Sequence, residues 1–112
     1  MVNNVCVIIR HPLADERFTL GLRNALATQM TGYETTAVVI ANAVLSFTGG
    51  MPDYLAQIIA SYLENEGKLY LLKDDLQNLK LSPADISTQG VELLDNDDLA
   101  EILEDSDTIS TF

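Results

Sequence analysis

Val5-Cys6-Val7-Ile8-Ile9 is an unbroken apolar run in which four of five residues are β-branched. A strand with one wet face alternates apolar with polar residues, whereas a run apolar throughout reads as a strand covered on both faces. That points to a parallel sheet between layers of helix. Pro12 blocks continuation of the strand, and the period behind it changes. Phe18, Leu22, Leu26 and Met30 fall four apart, which predicts one stripe of a helix over 15–30. Asp15 and Glu16 stand in its first turn, where negative charge suits the helix dipole, and Gly32 stops it.

The same alternation runs through the rest of the chain. Thr35-Thr36-Ala37-Val38-Val39-Ile40 reads as a second strand. Residues 41–51 read ambiguously, with a short helix open to 41–45 and a loop at Thr48-Gly49-Gly50. Behind Pro52 the pairs Tyr54/Leu55, Ile58/Ile59 and Tyr62/Leu63 make the clearest amphipathic stripe, with Gly67 as its expected cap. Leu69-Tyr70-Leu71-Leu72 is a third strand, followed by polar Lys73-Asp74-Asp75 and a helical turn towards Leu81. Ser82-Pro83 opens another turn. Residues 91–94 form a fourth strand, and Asp95 or Asn96 caps a helix that turns Leu99, Ile102 and Leu103 inward. Residues 108–112 alternate and supply a last strand. Strands alternating with helices predict right-handed crossovers and a three-layer α/β/α architecture around a mainly parallel five-stranded sheet. The whole of 1–112 reads as one domain.

Charge narrows the possible partners. Seventeen acidic residues face six basic ones, for a net charge of -11, and the imbalance is uneven. Residues 1–50 are neutral, with three of each sign, while residues 91–112 hold eight acidic residues and no basic one. Nucleic acid is excluded as a partner, because phosphates need clustered Lys and Arg. No apolar run approaches the ~18 residues of a membrane span, and the opening MVNNVCVIIRHP lacks the build of a secretory leader. A cytoplasmic location is expected, with no membrane partner. The single cysteine excludes an intramolecular disulfide and multi-cysteine zinc sites. No glycine-rich phosphate loop is present, so no cofactor is expected and no metal either.

Arg10 and His11 sit where the first strand ends and the first helix is about to begin. In open α/β sheets ligands bind beyond the carboxyl ends of strands. A guanidinium and an imidazole there suit a small anion or a partner's carboxylate. Lys73, at the end of the third strand, belongs to the same edge. Asp74 and Asp75 beside it have the makings of an acid–base pair but read better as a solvated turn. Asp95-Asn96-Asp97-Asp98 lacks the glycine of a calcium loop and carries Leu99 at a ligand position, so helix capping explains it. Cys6 lies inside the apolar first strand and reads as a core residue with an inert thiol.

Two stretches, with the chain's ending, resemble a known family. Ala41-Asn42-Ala43-Val44-Leu45 resembles the D/N-[AG]-V segment of the DsrE/DsrF/DsrH-like family of small sulfur-relay proteins. Lys68-Leu69-Tyr70-Leu71-Leu72-Lys73-Asp74-Asp75-Leu76 is similar to that family's third strand and following turn. The terminal helix and Asp107-Thr108-Ile109-Ser110-Thr111-Phe112 resemble its closing helix and strand. The resemblance implies a flavodoxin-like fold and cytoplasmic oligomers, often trimers or hexamers, that work with a sulfur-relay partner. It also adds Asn42 to the candidate edge. Active members carry a persulfide on a cysteine at the end of the third strand, with an Arg-Gly pair following. Here Leu72 stands in that place and Leu79-Lys80 replaces Arg-Gly. Leucine cannot carry sulfur. The expectation is a non-catalytic or divergent relative that binds a protein partner or small ligand at Arg10, His11, Asn42 and Lys73. The alternative is a persulfide-transferring enzyme that uses Cys6. A homo-oligomer is expected from Phe47, Met51, Tyr54 and Tyr62, which crowd one region, since aromatic residues and Met favour interfaces.

Overall fold

The run at 5–9 becomes an interior strand of the sheet. The computed structural model describes residues 3–112. β1 (Asn4–Ile9) is followed by α1 (Glu16–Met30), β2 (Glu34–Val39), a 3₁₀-helix (Ala41–Phe47), α2 (Asp53–Glu64) and β3 (Lys68–Leu72). Then come α3 (Lys73–Asn78), a 3₁₀ turn (Pro83–Asp85), β4 (Glu92–Leu94), α4 (Asn96–Asp105) and β5 (Thr108–Thr111). All neighbouring strands pair in parallel, in the order β4-β3-β2-β1-β5. The expected three-layer, flavodoxin-like arrangement is therefore present, with the sheet parallel throughout.

The strand order dictates the layers. From β1 to β4 the chain steps always in one direction, so right-handed crossovers put α1 and α2 on one face. The return from β4 to β5 reverses direction and puts α4 on the other. The two faces of β1 divide accordingly. Val5, Val7 and Ile9 pack with Phe18 and Leu22 of α1 and Leu55, Ile59 and Tyr62 of α2. Cys6 packs with Val38 and Leu94, under Leu99, Ile102 and Leu103 of α4. Among the described residues no helix is long and apolar enough to cross a membrane.

Three local expectations change. The stripe on α1 holds for Phe18 and Leu22, but Leu26 is only half-buried and Met30 is 65% exposed. A spacing of four rotates about 40° per step around a helix, so the buried face passes instead to Gly21 and Ala25. Gly67 caps α2 through its N–H alone, which donates to the Tyr62 carbonyl at 2.9 Å, while the left-handed residue after the helix is Glu66, at φ 69°. Gly67 is also the floor beneath Tyr62, where a Cβ would collide with the ring. That ring is buried, and its hydroxyl donates to the Lys68 carbonyl at 2.6 Å, with the Thr35 carbonyl 3.0 Å away. Burial holds the Tyr62 phenol well above its usual pKa. Finally, Phe47 and Tyr62 belong to the core, which leaves Tyr54, 53% exposed, and half-buried Met51 as the outer members of their group.

Candidate functional site

Parallel strands end together, so the turns that follow them gather on one edge. Ile9 is level with Val39, and Val39 with Leu71. Adjacent strands lie about 4.8 Å apart, so the chain leaves β1, β2 and β3 within roughly 10 Å. Arg10 and His11 follow β1, Asn42 lies just beyond β2, and Lys73 opens α3 directly behind β3. Arg10, Asn42 and Lys73 are exposed and His11 is half-buried. All four sequence-predicted binding residues thus share the carboxyl edge of the sheet.

That edge is tied together by groups whose roles the sequence did not reveal. Ala41 takes a left-handed backbone, at φ 53°. Its N–H donates to the Asp75 carboxylate at 2.6 Å, joining the end of β2 to the start of α3. Asp74 accepts from the Asn96 side chain, joining α3 to the first turn of α4. The two carboxylates are braces between turns and not the solvated pair expected. The Leu13 N–H donates to Ser46 Oγ at 2.8 Å and fastens the β1–α1 turn to the 3₁₀-helix. On the other side of β1, the Arg10 N–H donates to the Phe112 carbonyl at 2.8 Å.

The charges at the mouth of α1 are partly committed. Asp15 caps the helix by accepting from the Arg17 N–H, and its carboxylate also meets the Arg17 guanidinium at 2.8 Å. The hydrogen bond from Arg17 holds the Asp15 carboxyl well below the usual carboxylate range. His11 is different. Its Nδ1 is buried and has no hydrogen-bond partner. Buried polar atoms are nearly always satisfied, so this one is an unmet hydrogen-bonding capacity at the edge.

Cys6 is elsewhere. It lies mid-strand, fully buried, on the face covered by α4. Burial pushes its thiol up to about 11, while a hydrogen bond with Ser106 pulls weakly the other way. Leu72, at the position where the resembled family carries its reactive cysteine, is buried at the end of β3. Among the described residues, no group of acidic, histidine and cysteine side chains is arranged to hold a metal ion. Cavities of about 410 Å³ lie away from this edge, one at the amino ends of the strands and one between α2 and residues 87–89.

No family model matches the chain, and no curated protein matches it either. Solved structures do. The chain resembles the YchN protein of E. coli over 100% of both chains, with a TM-score of 0.83 at 19% identity. It also resembles BT1422 of Bacteroides thetaiotaomicron, a conserved protein of unknown function, with a TM-score of 0.77 at 13% identity. That second match covers 98% of this chain and 95% of the other. At such identities the shared property is the fold, and the fold is YchN-like.

Proposed function

We propose that this chain is a non-catalytic or divergent relative of the DsrE-like sulfur-relay proteins. It binds a small anion, or the carboxylate of a protein partner, at the carboxyl edge of its sheet. The observation that carries this reading is the edge itself: Arg10, His11, Asn42 and Lys73 emerge from three adjacent strands, and His11 Nδ1 there is buried and unpartnered. Arg10 supplies a fork of donors for an oxyanion, Lys73 a second positive charge and Asn42 an amide. The persulfide-carrier alternative fares worse, because a thiol with its pKa near 11 is scarcely ionised at neutral pH. Self-assembly into a trimer or hexamer belongs to the same reading. Its support is the exposure of several large apolar side chains, among them Leu20 and Met30 on α1 and Tyr54 on α2.

Thiosulfate and phosphate are suitable probes, followed by amide chemical shifts in the native protein. Saturable shifts confined to residues 10, 11, 41–43 and 73–75 are expected, and Arg10→Ala combined with Lys73→Ala should abolish them. Unmoved resonances at millimolar probe would overturn the anion reading. Iodoacetamide should leave native Cys6 unmodified and label it in urea. Rapid native labelling, followed by gain of one sulfur atom's mass from a sulfur donor, would reinstate the carrier. Light scattering should give a mass above the 12.3 kDa of one chain.

A further inference from the structure

The sheet has an outer strand at each side, β4 and β5, and the two are built differently. Edge strands are usually blunted by charge, proline, a bulge or extreme shortness, because their unpaired backbone recruits other chains. β4 is three residues long and opens on Glu92. β5 is Thr108-Ile109-Ser110-Thr111, with neither charge nor proline. Successive residues of a strand turn their backbone groups to opposite sides. Just past β5, the Phe112 N–H donates to the Ile8 carbonyl at 2.7 Å and the Phe112 carbonyl accepts from Arg10, so Phe112 faces β1. Ile109 and Thr111 therefore direct their N–H and C=O groups outward, and among the described residues no strand meets them there. Ile109 is level with Cys6 and Thr111 with Ile8, on the face that α4 covers. Both side chains are exposed, Ile109 at 47%.

Charge determines what such an edge attracts. α4 crosses its face of the sheet from Asn96, tied to Asp74 behind β3, to Asp105, which Ser106 and Asp107 join to β5. Its last two turns thus bring Glu101 and Glu104 towards the amino end of β5. Asp107 is fixed at that end, its carboxylate accepting from the Asn3 and Asn4 N–H groups at 2.9 Å. Glu101, Glu104 and Asp107 are exposed, and among the described residues none is in an ion pair. Residues 91–112 hold no base to offset them. A second copy of this chain would bring a further charge of -11 and another acidic α4 to the same edge. The field opposes that pairing and favours a basic strand.

We propose that β5 is the docking edge for a basic, extended segment of a partner protein, which adds to the sheet as a sixth strand. The outward backbone groups of Ile109 and Thr111 supply the ladder, and hence the affinity. Selectivity comes from the side chains. An apolar residue of the segment packs beside Ile109, and Lys or Arg meets Glu101, Glu104 and Asp107. The basic residues belong at the end beside Asp107, since Arg10 stands at the other end of the strand. The surface is separate from the anion site proposed above, apart from Arg10 at its margin, and neither reading depends on the other.

The probe is a synthetic peptide of about six residues, alternating valine and threonine with two lysines at one end, titrated into the native protein at low salt. Saturable amide shifts are expected at residues 108–111, with slowed hydrogen exchange at Ile109 and Thr111. Affinity should fall as salt rises from about 0.01 M to about 0.15 M. Methylating alternate peptide nitrogens removes the ladder, and glutamates in place of the lysines remove the attraction; each should weaken binding by at least about tenfold. Ile109→Lys, and Glu101→Gln with Glu104→Gln, alter exposed positions and should weaken it to a similar degree. Shifts on α4 without slowed exchange at Ile109 and Thr111, or binding that survives methylation, would overturn the proposal. So would unmoved resonances at millimolar peptide. Protection of both amides in the free protein, with a mass that falls in Ile109→Lys, would assign the edge to a second copy and overturn it too.

Discussion

A protonated Cys6 fits among Val38, Leu94 and the apolar side chains of α4, whereas its thiolate would be an unpaired charge in the same place. The effect on stability has a definite sign. The unfolded thiol titrates near 9.0 and the folded one near 11. Between those values the unfolded chain loses a proton that the native chain keeps, so its stabilising effect is complete below pH 9. It is lost as pH rises towards 11, by something on the order of 2 kcal/mol. Denaturant midpoints measured from about pH 8 to about pH 10.5 should fall in the wild type. In Cys6→Ala that fall should shrink, leaving the part due to Tyr62, whose raised pKa acts in the same direction at higher pH. An identical pH profile in the two proteins would mean the thiol is not protected as described.

Three described non-glycine residues take a left-handed backbone, and one of them, Ala41 at φ 53°, opens the 3₁₀-helix. That conformation costs an L-residue about 1–2 kcal/mol, partly offset in glycine by a looser unfolded chain. Ala41→Gly should therefore stabilise the fold by about 0.5 kcal/mol, seen as a higher urea midpoint at unchanged slope. A loss of stability would show that Ala41 contributes packing beyond its tie to Asp75. The neighbouring residues also show what the sequence made legible. β1 and β2 were readable because each is a short β-branched run whose burial follows from the run itself, as at Val38 and Val39, and β3 because Leu69-Tyr70-Leu71-Leu72 is a short apolar run closed by a polar turn. The segment at 41–47 was ambiguous because its buried residues are Ala43 with Ser46 and Val44 with Phe47, each pair three apart. Such spacing belongs to a 3₁₀-helix and blurs an α-helical pattern. The candidate edge was legible because strand ends announce themselves. The braces from Asp74 and Asp75 were not, since which turn each meets depends on a strand order that no local pattern encodes. The amino-end cavity escaped notice for the same reason, as its lining comes from five separate elements and two connections.

At the scale of the whole molecule, charge is the dominant asymmetry. The net charge of -11 is concentrated in the second half, and Lys68, Lys73 and Lys80 form no ion pair among the described residues. On α4, Asp97 faces Glu101 and Glu101 faces Asp105 one turn on, each a like-charge pair. Glu104 and Asp105 also sit in its last turn, the unfavourable end of the helix dipole. Salt screens such repulsion, with a Debye length of about 30 Å at 0.01 M falling to about 8 Å at 0.15 M. The melting temperature should rise over that range at neutral pH. A fall would require attractive pairs that outweigh these contacts, and among the described residues Arg17 with Asp15 is the only ion pair.

The position of β5 has a consequence in time. β1 meets β2 after one helix and a short loop, but its other edge is matched by β5, with Val5 level with Thr108. Closing a loop of about a hundred residues costs more chain entropy than closing one of thirty, and it is repaid only when the ladder forms. As the chain folds, β1 to β4 can therefore assemble while one edge of β1 still presents unpaired amides and carbonyls. Long-range parallel pairing of this kind is slow and prolongs the interval in which a bare strand edge can recruit another chain. That edge belongs to the neutral half of the protein, where net charge does least to keep two folding chains apart. The vulnerable moment in this protein's life is thus the wait for its fifth strand.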